Sequence, residues 1–95
     1  MIRKTYMKER EMKNIDPAEY NLHSRVKLLG KYKRVFIVID RKSRIIMKDG
    51  HRIVKMAKQI AQIEVEKEIS VLSSAPVCKK TRKFLLEKHI VVKSL

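Results

Sequence analysis

Apolar positions along this chain follow two different periods, and the change between them divides it. Val26, Leu28 and Leu29 come before a Gly-Lys-Tyr-Lys stretch, and the β-branched run Val35 to Ile39 comes after it. Two apolar arms around a short polar break predict a β-hairpin turning at GKYK rather than a helix ending at Gly30. From Gly50 the spacing becomes helical. Ile53, Met56, Ala57, Ile60 and Ile63 fall on one side, while Arg52, Lys55, Gln59 and Gln62 fall on the other. Ile69, Val71 and Leu72 then read as a short strand. Pro76 reads as the opening of a second helix that turns Phe84 and Leu85 inward, and HIVV at 89–92 as a closing strand.

Strands alternating with helices of this length imply parallel pairing through right-handed crossovers. The expected fold is therefore a small, single α/β domain: a β-hairpin followed by β-α-β-α-β, with the sheet covered by helices. The domain is expected over 14–95. Residues 1–13 alternate charge with isolated Met and Tyr, which suits a basic arm or marginal helix that orders on a partner. Asp16, Pro17 and Glu19 form a helix start, with Asp16 as cap and Pro17 at the first helical position.

Charge changes the picture more than any motif. The chain has 95 residues, and its 24 Lys and Arg stand against 10 Asp and Glu, a formal net charge of +14. A compact body with that excess repels itself, and a polyanion that gives up its counterions to the Lys and Arg side chains relieves the repulsion. A membrane surface fits less well, because there is no Trp and there are only two Phe to accompany a basic face. No apolar run approaches the roughly 20 residues of a span, and the basic start lacks the apolar centre of a signal peptide. A single cysteine, Cys78, builds neither an internal disulfide nor a zinc site alone, so a reducing, cytoplasmic setting is expected.

The cations recur on several elements. Arg41, Lys42, Arg44, Lys48, Arg52, Lys55 and Lys58 stand against Asp49 alone in 41–58, and KKTRK at 79–83 places Lys79, Lys80, Arg82 and Lys83 in the first turns of a helix. There they oppose the helix dipole, so a phosphate at that helix start would be favourable. Tyr6, Tyr20 and Tyr32 are candidate stacking platforms among these cations. Cys78, beside Lys79 and Lys80 at a helix start, has surroundings that favour a thiolate, although a buried inert thiol is the commoner outcome. His23, His51 and His89 lack zinc-ligand spacing, and Gly30 and Gly50 stand alone as turn residues.

The segment IVIDRKSR at 37–44 ends a strand on Asp40 and Lys42. With the order of elements over 25–93, it resembles the (D/E)xK half of the PD-(D/E)XK nuclease superfamily, the restriction-endonuclease-like fold. The resemblance implies a metal-dependent nuclease in which Asp40 and Lys42 hold magnesium and a water beside a scissile phosphate. That family places a further metal-binding Asp near the hairpin, whereas HSRVKLLGKYKRV here contains no carboxylate, so the core reads as a degenerate one.

Together these features predict a non-catalytic nucleic-acid-binding protein without a cofactor, taking RNA in preference to DNA and associated with a ribosomal particle. Its phosphate contacts are expected at Arg41, Arg44, Lys48, Arg52, Lys55, Lys79, Lys80, Arg82 and Lys83. The alternatives are the magnesium-dependent nuclease just described and an architectural DNA-binding protein.

Overall fold

The computed structural model describes residues 12–95, so the expected arm of 1–13 lies outside the described residues apart from its last two. Among the described residues five strands form one mixed sheet: β1 (Lys13–Ile15), β2 (Lys27–Lys31), β3 (Arg34–Ile39), β4 (Glu68–Ser73) and β5 (Val91–Ser94), with two α-helices, α1 (Met47–Ile63) and α2 (Lys79–Glu87), and a short 3-10 helix at Pro17–Tyr20 capped by Asp16. The strands lie side by side in chain order. β1, β2 and β3 pair antiparallel, while β3, β4 and β5 pair parallel, with α1 and α2 as the two crossovers. The domain is a small α/β fold, as the change of period implied.

Why the hairpin forms is visible in its register. Leu28 lies opposite Ile37 and Gly30 opposite Val35, so the turn falls on Tyr32 and Lys33. Tyr32 takes the positive φ, at 57°, while Gly30 sits inside β2 with an ordinary backbone. The expectation of Gly30 as a turn residue is thus corrected. A side chain there would press on Ile15 of β1. β1 itself is an additional edge strand that its short polar sequence, Lys-Asn-Ile, did not announce.

α1 begins at Met47, three residues before the expected start, because Asp49 reaches back to accept the Ile46 backbone N–H at 2.9 Å. Gly50 is therefore buried within the helix rather than at a turn. A Cβ there would stand 3.0 Å from the Thr81 methyl of α2, so glycine allows the two helix starts to meet. Ile53, Ala57 and Ile60 are buried as the helical spacing requires, but Ile63, at the last turn, is exposed. Pro76 does not open α2. It belongs to an extended segment in which Val77 bridges Ile45, and Cys78 is the residue that caps the helix. His89, with φ 64°, and Ile90 close the end of α2, so the last strand begins at Val91.

The core collects Leu28, Val35, Ile37 and Val71 from alternate positions of the sheet, Ile53, Ala57 and Ile60 from α1, and Leu85 from α2. Each large aliphatic side chain so buried contributes about 1.5–3 kcal/mol before entropy is counted. Phe36 and Leu72 are one position out of phase and face away from the helices, yet both are buried. The sheet is thus apolar on both sides, as the unbroken run Val35 to Ile39 requires. Among the described residues the helices cover one face of the sheet, not both.

Candidate nucleic-acid interface

β3 and β4 run the same way, so the loops that follow them, 40–46 and 74–78, leave the sheet at one end, where both helices start. Ser74 ties these loops together. Its backbone N–H donates to the Ile39 carbonyl at 3.1 Å, its hydroxyl donates to Asp40 Oδ1 at 2.7 Å, and the same Ser74 Oγ accepts the Arg41 N–H at 3.0 Å. One step further, Ile45 N–H donates to the Pro76 carbonyl at 2.9 Å and Cys78 N–H to the Ile45 carbonyl at 3.0 Å. The two basic stretches of the sequence, around Arg44 and around Lys79 and Lys80, are thereby held next to each other.

The predicted cations divide into three groups. Arg41 is turned inward: it donates to the Ser43 and Arg44 carbonyls and pairs with Asp49 at 2.6 Å. That guanidinium and the Ile46 N–H hold the Asp49 carboxyl below its ordinary value. Arg82 donates to the Val92 carbonyl at 3.2 Å and so braces α2 against β5. Arg44, Lys48, Arg52, Lys55, Lys79, Lys80 and Lys83 are exposed, and none forms an ion pair among the described residues. Lys48, Arg52 and Lys55 form one stripe along α1 at helical spacing. Gln59, expected beside them, instead bonds the Tyr20 and Asn21 carbonyls.

A groove of about 490 Å³ opens beside this stripe, between α1 and the start of β2. Its floor is Val26, Ile37, Ile39, Ile53 and Met56, and its rim carries His23, Arg25, Lys27 and Arg52. Its one carboxylate, Asp49, is already satisfied by Arg41. The sequence reading missed His23, Arg25 and Lys27. The available signal was that Arg25 and Lys27, two apart, share one side of an extended chain.

The remaining candidates separate. β3 stops at Ile39, so Asp40 and Lys42 lie in the loop beyond it rather than on the strand, and both are exposed. No cluster of three His, Cys, Asp or Glu able to hold a metal occurs among the described residues. Of the tyrosines, Tyr20 is buried with its hydroxyl donating to Glu64, which excludes stacking on a base, while Tyr32 is exposed at the hairpin tip. Tyr6 lies outside the described residues. Among those residues no helix is long and apolar enough to cross a membrane.

No protein-family model, curated protein or solved structure matches this chain.

Proposed function

We propose that this protein binds the phosphate backbone of nucleic acid, RNA in preference to DNA, without cleaving it, and that it acts in the cytoplasm on a ribosomal particle. The observation that carries the reading is the unpaired charge at one end of the sheet. Arg44, Lys79 and Lys80 around the loops, and Arg25, Lys27 and Arg52 around the groove, form no ion pair among the described residues, although Arg52 adds its attraction to that of Arg41 on Asp49. Phosphates would replace counterions there and relieve the mutual repulsion. RNA is favoured over duplex DNA because the groove joins an apolar floor to a cationic rim, a combination that suits an unstacked base and its phosphate.

The test is a salt series on the purified full chain with a structured RNA, a single strand and a duplex DNA of equal length. RNA binding with a steep log–log salt slope, stronger than duplex binding, supports the reading. Salt-insensitive binding, or none, ends it. A preference for the duplex at matched salt would indicate the architectural alternative. Magnesium-dependent cleavage lost in Asp40→Ala would indicate the nuclease.

A further inference from the structure

We infer that two copies of this chain associate through the end of the sheet opposite the cationic loops, as a two-fold dimer in which Val65 and Glu66 of each copy enter a groove of the other. That groove opens where β4 and β5 begin. Val54, Ala57 and Ala61 of α1, Ile69 of β4, Leu86 of α2 and Val91 of β5 line it. Leu86 and Val91 are 59% and 44% exposed. Isolated exposed aliphatic residues are ordinary on a protein surface, but these share one groove, and covering them removes apolar area from water.

The occupant follows from the charge and shape of the surface beside the groove. α1 ends at Ile63, and Glu64, Val65 and Glu66 follow it as a short acidic knob with an aliphatic centre, Val65 being 80% exposed. Glu64 is held by the Tyr20 hydroxyl and by Lys67, whereas Glu66 is exposed and forms no ion pair among the described residues. Lys58 is its counterpart at the groove. It is exposed, it stands on α1 at helical spacing between Val54 and Ala61, and it also forms no ion pair among those residues. An aliphatic knob with a free carboxylate thus matches an aliphatic groove with a free ammonium group. Ala61 and Lys67, on either side of the knob in the sequence, both line the groove, so knob and groove are neighbours on one chain. A two-fold axis between them lets each copy fill the other's groove.

Net charge favours this end over any other. Two bodies of formal charge +14 repel each other. Here Arg34 and Lys67 are already paired with Glu68 and Glu64, so the approach of a second copy costs less than at the loops carrying Arg44, Lys79 and Lys80. The dimer turns its two cationic ends outward. The inference stands apart from the nucleic-acid reading, because association is measured without RNA.

The test is sedimentation equilibrium of the RNA-free full chain over a concentration series at fixed salt. The weight-average mass should rise from the 11.3 kDa of one chain toward twice that value. Val65→Lys and Leu86→Lys, both at exposed positions, should each weaken association at least about tenfold while the thermal unfolding curve stays in place. Glu66→Lys and Lys58→Glu should each associate more weakly than the parent chain, since like charges then face each other, and an equimolar mixture of the two should recover the dimer. A single-chain mass at every concentration overturns the proposal and leaves the groove to a different partner. A dimer that Val65→Lys and Leu86→Lys leave intact, or a mixture no more associated than its two components, overturns it as well.

Discussion

One groove among the described residues, about 780 Å³, lies where β3 and β4 begin, and a smaller one, about 490 Å³, where they end. Both have apolar floors and several cations, but the charges are used differently. Around the larger groove, Arg34 pairs with Glu68, Lys67 pairs with Glu64, and Lys88 lies 5.8 Å from the centre of the Phe84 ring, which leaves Lys58 and Lys93 without an ion pair among the described residues. Around the smaller, the one carboxylate forms its ion pair with Arg41, and Arg25, Lys27 and Arg52 form none among the described residues. The sequence explains the asymmetry: Glu64, Glu66 and Glu68 are concentrated in the connection from α1 to β4. The share of cations left unpaired, rather than volume, separates a surface that answers most of its own charge from one that leaves most of it to an outside anion.

The two helix starts repeat the contrast at closer range. α1 has Asp49 in its first turn, and that carboxylate accepts both a backbone N–H and a guanidinium. α2 has no acid in its first turn, only Lys79 and Lys80.

The largest effect is expected from exchanging charge between the grooves. Arg25→Gln, Lys27→Gln and Arg52→Gln together should weaken RNA binding at least about tenfold and flatten the log–log salt slope by about 2, from roughly 0.7 per single-strand phosphate contact. The matching set at the other end, Arg34→Gln, Lys67→Gln and Lys88→Gln, should change affinity by less than about threefold, since those cations already have partners. Titrations of both sets across a salt series decide it, and equal losses would remove the distinction between the ends.

Next in size is the change that makes the α1 start resemble the α2 start. Asp49→Ala leaves Arg41 and the Ile46 N–H without their acceptor and should cost about 2 kcal/mol in urea unfolding. The same carboxylate predicts a pH dependence. Its folded pKa lies below the unfolded 3.8, so its contribution is complete above that value and is lost as pH falls through the folded one. The acid limb of the stability curve should therefore be shallower in Asp49→Ala than in the parent protein.

Tyr20 gives a smaller effect with the opposite sign in pH. Burial first, then its bond to Glu64 Oε2 at 3.0 Å, pushes its hydroxyl from 10.0 up to about 12. The folded state therefore keeps this proton more tightly than the unfolded chain does. The stabilisation is complete below pH 10 and is lost as pH rises toward 12. Tyr20→Phe should cost about 1.5 kcal/mol at neutral pH and show less loss of stability over that alkaline range.

These residues also show what was legible beforehand. The hairpin and α1 could be read because their periods are long and unbroken. β1 could not, since its three residues become a strand only by pairing with β2. The start of α1 depended on Asp49 folding back onto Ile46, and Pro76 suggested a helix start in a segment that pairing with Ile45 keeps extended. The excess of charge was plain from composition, but its grouping was not. Arg25 and Arg52 meet only because the sheet places the start of β2 beside α1, and Arg41, in a basic run, is spent inside the protein.

The smallest expected effect concerns the ion pair that represents the compensated end. Arg34 and Glu68 lie 3.4 Å apart with side chains 43% and 71% exposed, at the first register position of β3 and β4. Water screens both groups, and ordering two long side chains offsets the remaining attraction, so a double-mutant cycle with Arg34→Gln and Glu68→Gln should give a coupling below about 0.5 kcal/mol. Its importance lies in what it withholds from solvent anions rather than in stability. Glu68→Gln alone should leave the melting temperature nearly unchanged while freeing Arg34, and RNA binding should rise slightly at low salt. A rise in affinity with no change in stability would show that pairing, rather than the number of cations, sets which end attracts the polyanion. A large coupling energy would instead make this a structural pair and leave the charge contrast between the ends to be explained by the cations alone.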